Sequence, residues 1–490
     1  MTEDAVGSYT ARLSGRRTGA GMMSPRLLDE VATADARPPR ASARSAVVTA
    51  GAALHRELFA MPRAGEFFDL RALQAQTGRT LDKFADVVVK ELVDNALDAC
   101  ESSGRRPDVF LGVEESEESG PQMITVGDNG PGMTTELLDQ LLDFSLLVSD
   151  KSAYRSPTRG SQGNALKTVL GIATAFGRTE PVIVESLGVR HEMRAGVDPA
   201  GHVWTEHEKS AAGDDTGTMI TVTVGRAADR SNVLPIVDTA RWARAFALVN
   251  PHAEVRSHLG HYGTSPEVDS YKPTVGEDWS KPLPTDPTSA HWYDLRSFER
   301  LVFSYIRKRD LPVGEFVRTF AGLTSTRKAK SVSARLDGVA HLSDLETHRE
   351  QIAGLLAAMK DESRVPKASV LGRVPEEHYR ACFEEWYGVE RFWFARQPAL
   401  VDAVPWVVEI AIAETRKPGE MFYAVNYSPT FDDPLTRLPF SIPGLSTTGA
   451  RSFLEQRDAF PDGTSYRAAA IHVLSPVVEF LDKGKSTLAL

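Results

Sequence analysis

The chain has 490 residues, a hydrophobic fraction of 42%, a charged fraction of 25% and a formal net charge of −10. It is too long for one core and has room for about three globular domains; its acidic balance argues against a broad nonspecific nucleic-acid surface while leaving a local basic groove open. No run of about 18 apolar residues suggests a membrane span, and Arg12, Arg16, Arg17 and Arg26 interrupt any apolar signal core, so a cytoplasmic location is expected.

Residues 1–50 are rich in Ala, Ser, Arg, Pro and Gly with little periodicity, and read as a disordered, Arg-rich arm. A short helix is predicted from Glu66 to Thr77 and a longer one from Leu81 to Cys100, ending before Ser102-Ser103-Gly104. Within the second, Leu92, Ala96 and Ala99 recur as an apolar stripe, and Glu91, Asn95 and Asp98 recur beside it as acid and amide. Such a face suits a magnesium-nucleotide site, and equally an acidic stripe at the surface. Cys100 and Cys382 are the only cysteines, too few for a disulfide framework or a zinc site, and neither thiol is expected to be catalytic.

Strands are predicted over Asp108–Val113 and Met123–Val126, joined through an acidic turn. The second runs into Gly127-Asp128-Asn129-Gly130-Pro131-Gly132-Met133. A strand that stops at a carboxylate among glycines positions one acceptor and lets backbone approach a flat ligand, although an ordinary Asn-Gly turn has the same pattern. Leu137–Leu147 reads as an amphipathic helix. A polar stretch from Ser149 to Gly163, with Lys151, Arg155 and Arg159, then leads through a glycine loop to a helix beginning near Ala165. Free N–H groups at such a helix start make a phosphate seat, but the Walker pattern is absent.

Val182–Leu187 and Met219–Val224 read as further strands; between them Asp214-Asp215-Thr216-Gly217-Thr218 forms a turn whose Thr hydroxyl either reaches a ligand or is an ordinary hydrogen-bonded turn group. A helix over Arg241–Val249 stops at Asn250-Pro251-His252-Ala253, and a Pro-rich connection from about 259 to 289 suggests a domain boundary. Short helices dominate Tyr293–Leu345, where Arg327, Lys328, Lys330 and Arg335 form either a DNA contact or a solvated helix end. Pro375–Trp386 is predicted helical; Trp406–Glu414, Met421–Val425 and Ala468–Leu474 are predicted strands. The expected class is α/β, an α+β sandwich.

In this order, the acid-Asn helix, the strand-ending Asp128 and the glycine loop resemble the ATP-binding module of the GHKL superfamily, which includes gyrase-type topoisomerases, MutL, heat-shock chaperones and sensor histidine kinases. The chain is more similar still to the B subunit of type IIB topoisomerase, topoisomerase VI. The matching segments are Glu66-Phe67-Phe68, Val89 to Glu101, Asp128 to Gly132, Arg159-Gly160 with Gln162-Gly163, Gly217-Thr218 and Asn250 to Ala253. More thinly, Pro312–Phe320 resembles the helix-two-turn-helix insert of that family, and Ile471-His472-Val473 with Gly484-Lys485 the end of its transducer domain.

The resemblance implies a Bergerat-type ATP-binding domain over residues 51–258, a linker and small helical region over 259–345 and a transducer-like α/β domain over 346–490. It implies ATP and Mg2+, with Glu91 as general base and Asn95 as the protein's metal ligand. Asp128 would accept the adenine amino group, with Gly130, Gly132, Met133 and Thr218 around the base. Ser149, Lys151, Gly160, Ser161, Gln162, Gly163, Asn164 and Ala165 would form the lid and phosphate loop, and Lys485 would reach the γ-phosphate. Ala165 stands where the type IIB loop usually has another glycine, a change that MutL-like loops tolerate; Lys167 either contacts phosphate or flanks the helix. Asp98 has no assigned role.

The implied activity is an ATP hydrolase that forms a homodimer on ATP binding, a gate or clamp on duplex DNA with a separate DNA-cleaving A-type partner and no membrane. The chain ends directly after the Lys485 segment, without a long C-terminal helix to grip that partner, and shows no cleavage machinery of its own. An ATP-switched chaperone or scaffold is the alternative. A histidine-kinase role would need a phosphoacceptor on an upstream helix, where only His55 lies.

Overall fold

The computed structural model describes residues 63–115, 120–145, 154–159, 165–213, 216–225, 235–438, 466–480 and 488–489, within one compact unit spanning Ala60–Leu490. The predicted N-terminal arm lies outside the described residues. After a 3-10 turn at Arg63–Phe68 come helix α1 (Leu70–Thr77) and helix α2 (Phe84–Ser102). Asp69 starts α1 by accepting from the Ala72 N–H, and Gly78 ends it in the left-handed conformation. Val87-Val88-Val89 would by propensity favour a strand. All three are instead buried inside α2, so tertiary packing decides the helix.

Strands β1 (Asp108–Glu115) and β2 (Gln122–Asp128) follow, then helices α3 (Thr135–Leu141) and α4 (Ala165–Ala175). Next come β3 (Val182–Ser186), β4 (Val189–Val197), β5 (Val203–Ala211), β6 (Thr218–Val224), helix α5 (Thr239–Val249), β7 (Glu254–Gly260) and β8 (Glu267–Tyr271). The eight strands form one sheet in the order β5-β4-β3-β6-β2-β1-β7-β8, parallel between β1 and β7 and antiparallel elsewhere. Alternate residues, among them Val109, Leu111, Ile124, Val126, Val184 and Val222, turn into a core that α2, α4 and α5 cover. The sheet continues past residue 258 as far as Tyr271.

Helix α3 is shorter than predicted. Asp143 accepts from both the N–H and the hydroxyl of Ser145, a local turn that competes with the helical backbone bonds. The predicted end of that helix, residues 146 and 147, lies outside the described residues.

Helices α6 (Leu295–Lys308), α7 (Val313–Arg318), α8 (Thr326–Ser333) and α9 (Glu350–Glu362) enclose a separate core, centred on Phe298, Phe316 and Phe320. Helix α10 (Glu376–Tyr387) then leads into β9 (Val389–Val401), β10 (Val404–Thr415), β11 (Met421–Val425), β12 (Ser428–Pro429) and β13 (Tyr466–Leu474). Their sheet runs β12-β11-β13-β10-β9, with α10 packed on β10. A short pair, β14 (Glu479–Phe480) and β15 (Leu488–Ala489), completes the described elements.

Helix α5 belongs to both halves. It packs on β7 of the first sheet and on β11 and β12 of the second. Its last carbonyls, from Ala247 and Leu248, accept from His378 Nε2 on α10. Burial pulls His378 down to about 4, so the ring stays neutral and can donate from Nε2.

Candidate functional site

The polar residues of α2 are more buried than a surface stripe allows. Glu91 is 6% exposed and Asp98 8%, whereas Asn95 is the one exposed residue between Phe84 and Glu101. Glu91, Asn95 and Ala99 follow one another at i, i+4 and i+8, forming a single ridge of about 12 Å along the helix. At its far end lies the turn after β2: a Cβ placed on Gly130 would come within 3.2 Å of the Ala99 Cβ.

That turn is fastened from several sides. Arg105 donates to the carbonyls of Asn129 and Gly130, at 2.7 and 2.6 Å. Asn129 accepts from the Asp108 N–H and from the Cys100 thiol, both at 3.0 Å. Burial pushes Cys100 up to about 12, which keeps it a protonated donor. Asp128 accepts from the Gly130 N–H at 2.7 Å. Burial raises its carboxyl to about 6, against the pull of backbone hydrogen bonds at Gly130 and Thr218 and of the Arg105 charge. An acceptor held part-buried at the end of a strand is suited to a neutral N–H donor of a flat ligand.

The opposite wall is β6. Thr218 pairs directly with Asp128 across the sheet, and Gly217 before it has φ +104°, with an added Cβ only 1.9 Å from the Asp128 carbonyl oxygen. No side chain fits there. Ser186, which sequence reasoning missed, closes the wall. Its hydroxyl accepts from the Met133 N–H at 2.8 Å, donates to the Gly217 carbonyl at 2.9 Å and lies 3.4 Å from the Thr218 hydroxyl. Gly132, at φ +86°, crosses against Leu187 where a Cβ would stand 2.7 Å from that side chain. A serine at a strand end has no distinctive local signal, so its role is visible only once β3 and β6 are paired.

Near the same C-terminal end of α2, Arg159 is fully buried and uses all five guanidinium N–H groups. Nε donates to the Tyr427 carbonyl at 3.1 Å, Nη1 to Asp98 at 3.0 Å and to Glu101 at 2.8 Å, and Nη2 to Glu101 at 2.7 Å and to Asn250. Lys281 pairs with Glu101 at 2.8 Å, and His252 Nε2 lies 3.0 Å from the same carboxylate. The Arg159 and Lys281 charges, with the His252 hydrogen bond, hold Glu101 well below the usual carboxylate range despite its burial. Asp98 and the Asn250-Pro251-His252 segment, without assigned roles in the sequence, thus belong to one ion cluster.

Comparison with known proteins adds an independent observation. The family profile for histidine kinase-, DNA gyrase B- and HSP90-like ATPases matches residues 82–228. The chain carries a GHKL ATPase domain. The B subunit of type 2 DNA topoisomerase 6 from Natronomonas pharaonis is 30% identical over 177 residues, 35% of this chain and 21% of that protein. Its counterpart from Archaeoglobus fulgidus is 22% identical over 333 residues, 66% of this chain and 53% of that protein. The mismatch repair protein MutL of Streptococcus equi subsp. equi is 34% identical over 146 residues, 28% of this chain and 21% of that protein. The chain therefore spans about half or less of the length of these relatives. A solved N-terminal domain of a DNA repair protein aligns over 88% of the chain at 12% identity with a TM-score of 0.36, too distant to inform the fold.

Within the GHKL domain the structure brings Asp128, Gly130, Gly132, Met133 and Thr218 around one turn and sets Glu91 and Asn95 on the adjoining helix. Ser149, Lys151, Gly160, Ser161, Gln162, Gly163, Asn164 and Lys485 lie outside the described residues, as does the side chain of Ala165. Lys167 is buried and its ammonium donates to the Asp143 carbonyl at 2.6 Å, 5.9 Å from the Phe144 ring centre. It flanks the helix start and ties it to the loop after α3. In the basic cluster, Arg335 pairs with Asp361 and Glu362, and Lys328 donates to the Gly322 carbonyl. No helix among the described residues is long and apolar enough to cross a membrane.

Proposed function

We propose that this chain is a magnesium-dependent ATPase of the topoisomerase VI B type. The observation that carries the reading is the ridge on α2, with exposed Asn95 and buried Glu91 at one end and the Asp128 turn against Ala99 at the other. A nucleotide laid along it has its adenine at Asp128 and Thr218 and its phosphates at Asn95 and Glu91.

Glu91 takes the proton of the water that attacks the γ-phosphate. Asn95 offers the metal a neutral oxygen, which fits an ion that keeps most of its ligands from phosphate and water; bound there, Mg2+ neutralises phosphate charge. The exposure of this one amide on an otherwise packed helix fits such a ligand. The segment from Ser149 to Ala165 is the lid and phosphate loop, and Lys485 is the lysine that meets the γ-phosphate. ATP binding closes a homodimer, a cytoplasmic gate or clamp on duplex DNA that works with a separate DNA-cleaving A-type partner.

Purified protein is expected to hydrolyse ATP slowly, and Glu91→Ala to abolish turnover while retaining nucleotide binding. Wild-type hydrolysis by Glu91→Ala overturns the assignment of the base. The local pairing of Arg335 and Lys328 favours a second reading, an ATP-switched chaperone or scaffold without DNA cleavage. Stimulation of the ATPase by duplex DNA, lost on charge reversal at Arg327 and Lys330, selects the first reading; indifference to DNA selects the second.

A further inference from the structure

The described segment from Tyr154 to Arg159, directly before the glycine loop, is held by three parts of the molecule. From the helical region, the Tyr293 hydroxyl accepts from the Arg155 N–H at 2.8 Å and Thr288 donates to the Arg155 carbonyl at 2.8 Å. From α2, Asp98 and Glu101 accept from Arg159. From the second sheet, the Tyr427 carbonyl accepts from Arg159 Nε at 3.1 Å and from Asn250 Nδ2 at 3.0 Å.

The receiving turn is itself unusual. Asn426 and Tyr427 join β11 to β12 with φ of 49° and 66°, a left-handed pair without glycine. The Tyr427 N–H donates to His472 Nε2 at 3.1 Å, and His472 Nδ1 donates to the buried Glu409 carboxylate at 3.0 Å. The Tyr427 hydroxyl donates to the Leu371 carbonyl at 2.8 Å. Strain of this kind persists only where the surroundings over-determine it.

We infer that Arg159 is a positioning residue for ATP hydrolysis, a guanidinium that fixes the chain at residues 154–159, just before the glycine loop, relative to both the Glu91 helix and the Tyr427 turn of the second sheet. The inference rests on the function proposed above and extends it. Asp98 lies two turns from Glu91 on α2, and Arg159 directly precedes Gly160 in the sequence, so one rigid fork joins the base helix to the segment that leads into the loop. A buried ion cluster gives little stability over an apolar packing of similar volume, and its clearest use is to enforce one arrangement. All five donors are matched to acceptors, so the geometry is over-determined in a way that a three-donor ammonium cannot reproduce.

The test compares Arg159→Lys with wild type for folding, by thermal unfolding, and for nucleotide Kd and kcat. Lysine keeps the charge that Glu101 and Asp98 require. Arg159→Lys is expected to stay within a few-fold of the wild-type Kd while kcat falls by about tenfold to a hundredfold. Asn250→Ala removes the amide that touches both Arg159 and the Tyr427 carbonyl, leaves the ion pairs balanced and is expected to show the same split more weakly. If Arg159→Lys does not fold, Asn250→Ala carries the test alone. In wild type, a nonhydrolysable ATP analogue should raise amide-exchange protection across residues 425–428, and in the variants it should not.

Folded variants with unchanged kcat, or with kcat and affinity falling together, overturn the positioning role and leave a structural one. Absence of hydrolysis in the wild type would strike at the proposed function instead, and loss of turnover in Glu91→Ala with no effect at Arg159 overturns only this inference.

Discussion

Lys90 and Asp94, one turn apart on α2, form a buried ion pair of 2.8 Å that Ser428 completes from the second sheet, accepting from Lys90 at 2.9 Å and donating to Asp94 at 2.8 Å. The helix that bears the candidate base is thus bonded to the second sheet along its buried side as well as through Arg159. Ser428 directly follows the Asn426-Tyr427 turn, so both links converge on one short hairpin.

Removing the hydroxyl should weaken this junction without exposing a bare charge. Ser428→Ala is expected to cost about 1–3 kcal/mol. Asp94→Ala leaves the Lys90 ammonium buried without its carboxylate and is expected to cost about 3–5 kcal/mol. Urea unfolding of the two variants measures the difference; equal, small losses would show that the pair contributes little to the junction.

Asp128 gives a pH signature with a definite sign. Its folded-state carboxyl is raised to about 6 from 3.8 by burial, so the folded protein binds the proton more tightly than the unfolded chain. The stability it contributes is fully present below the unfolded value and lost as pH rises through about 6. Nucleotide binding runs the other way if the ionised carboxylate receives the adenine amino group, weakening as pH falls below about 6. Titration of nucleotide Kd from pH 5 to 8, roughly the range where such groups change charge, should show this dependence in wild type. Asp128→Asn should flatten it.

Gly217→Ala tests the wall beside Asp128. Its φ of +104° and the 1.9 Å approach to the Asp128 carbonyl leave no room for a methyl group. A loss of about 1–3 kcal/mol is expected from the backbone alone, together with weaker nucleotide binding because Thr218 shifts from Asp128. Thermal unfolding with and without nucleotide separates the two; a variant of normal stability and affinity would mean that the turn can relax.

Lys167 separates a phosphate ligand from a structural cation. Its ammonium is committed to the Asp143 carbonyl and is depressed below the usual lysine range by burial. Lys167→Met is expected to change nucleotide affinity by no more than a few-fold. A loss of about a hundredfold, some 3 kcal/mol, would return Lys167 to the phosphates.

Much of the candidate site was legible along the chain because its signals are local. Glu91, Asn95 and Asp98 share a helical period, Asp128 stands where an apolar strand meets glycines, and Asn250-Pro251 stops α5. Strands β4, β5 and β9 were harder to see. Strand β5 is almost entirely exposed, so its residues carry no inward-outward alternation to read. Helix α9 fell in a stretch without clear end signals, and its place is set by Leu355 and Met359 packing into the helical core.

By itself the sequence determined those elements whose signals are local, such as α2, β2 and α5, because side-chain periodicity and turn residues act over a few positions. Only the tertiary structure decided which polar groups are paired. Ser428 meets Asp94 from 334 positions away and Tyr427 meets Arg159 from 268 positions away. A buried charge requires a partner but does not specify in its local sequence which one, so the cluster joining α2, the loop approach and the second sheet exists only where the chain has folded back on itself.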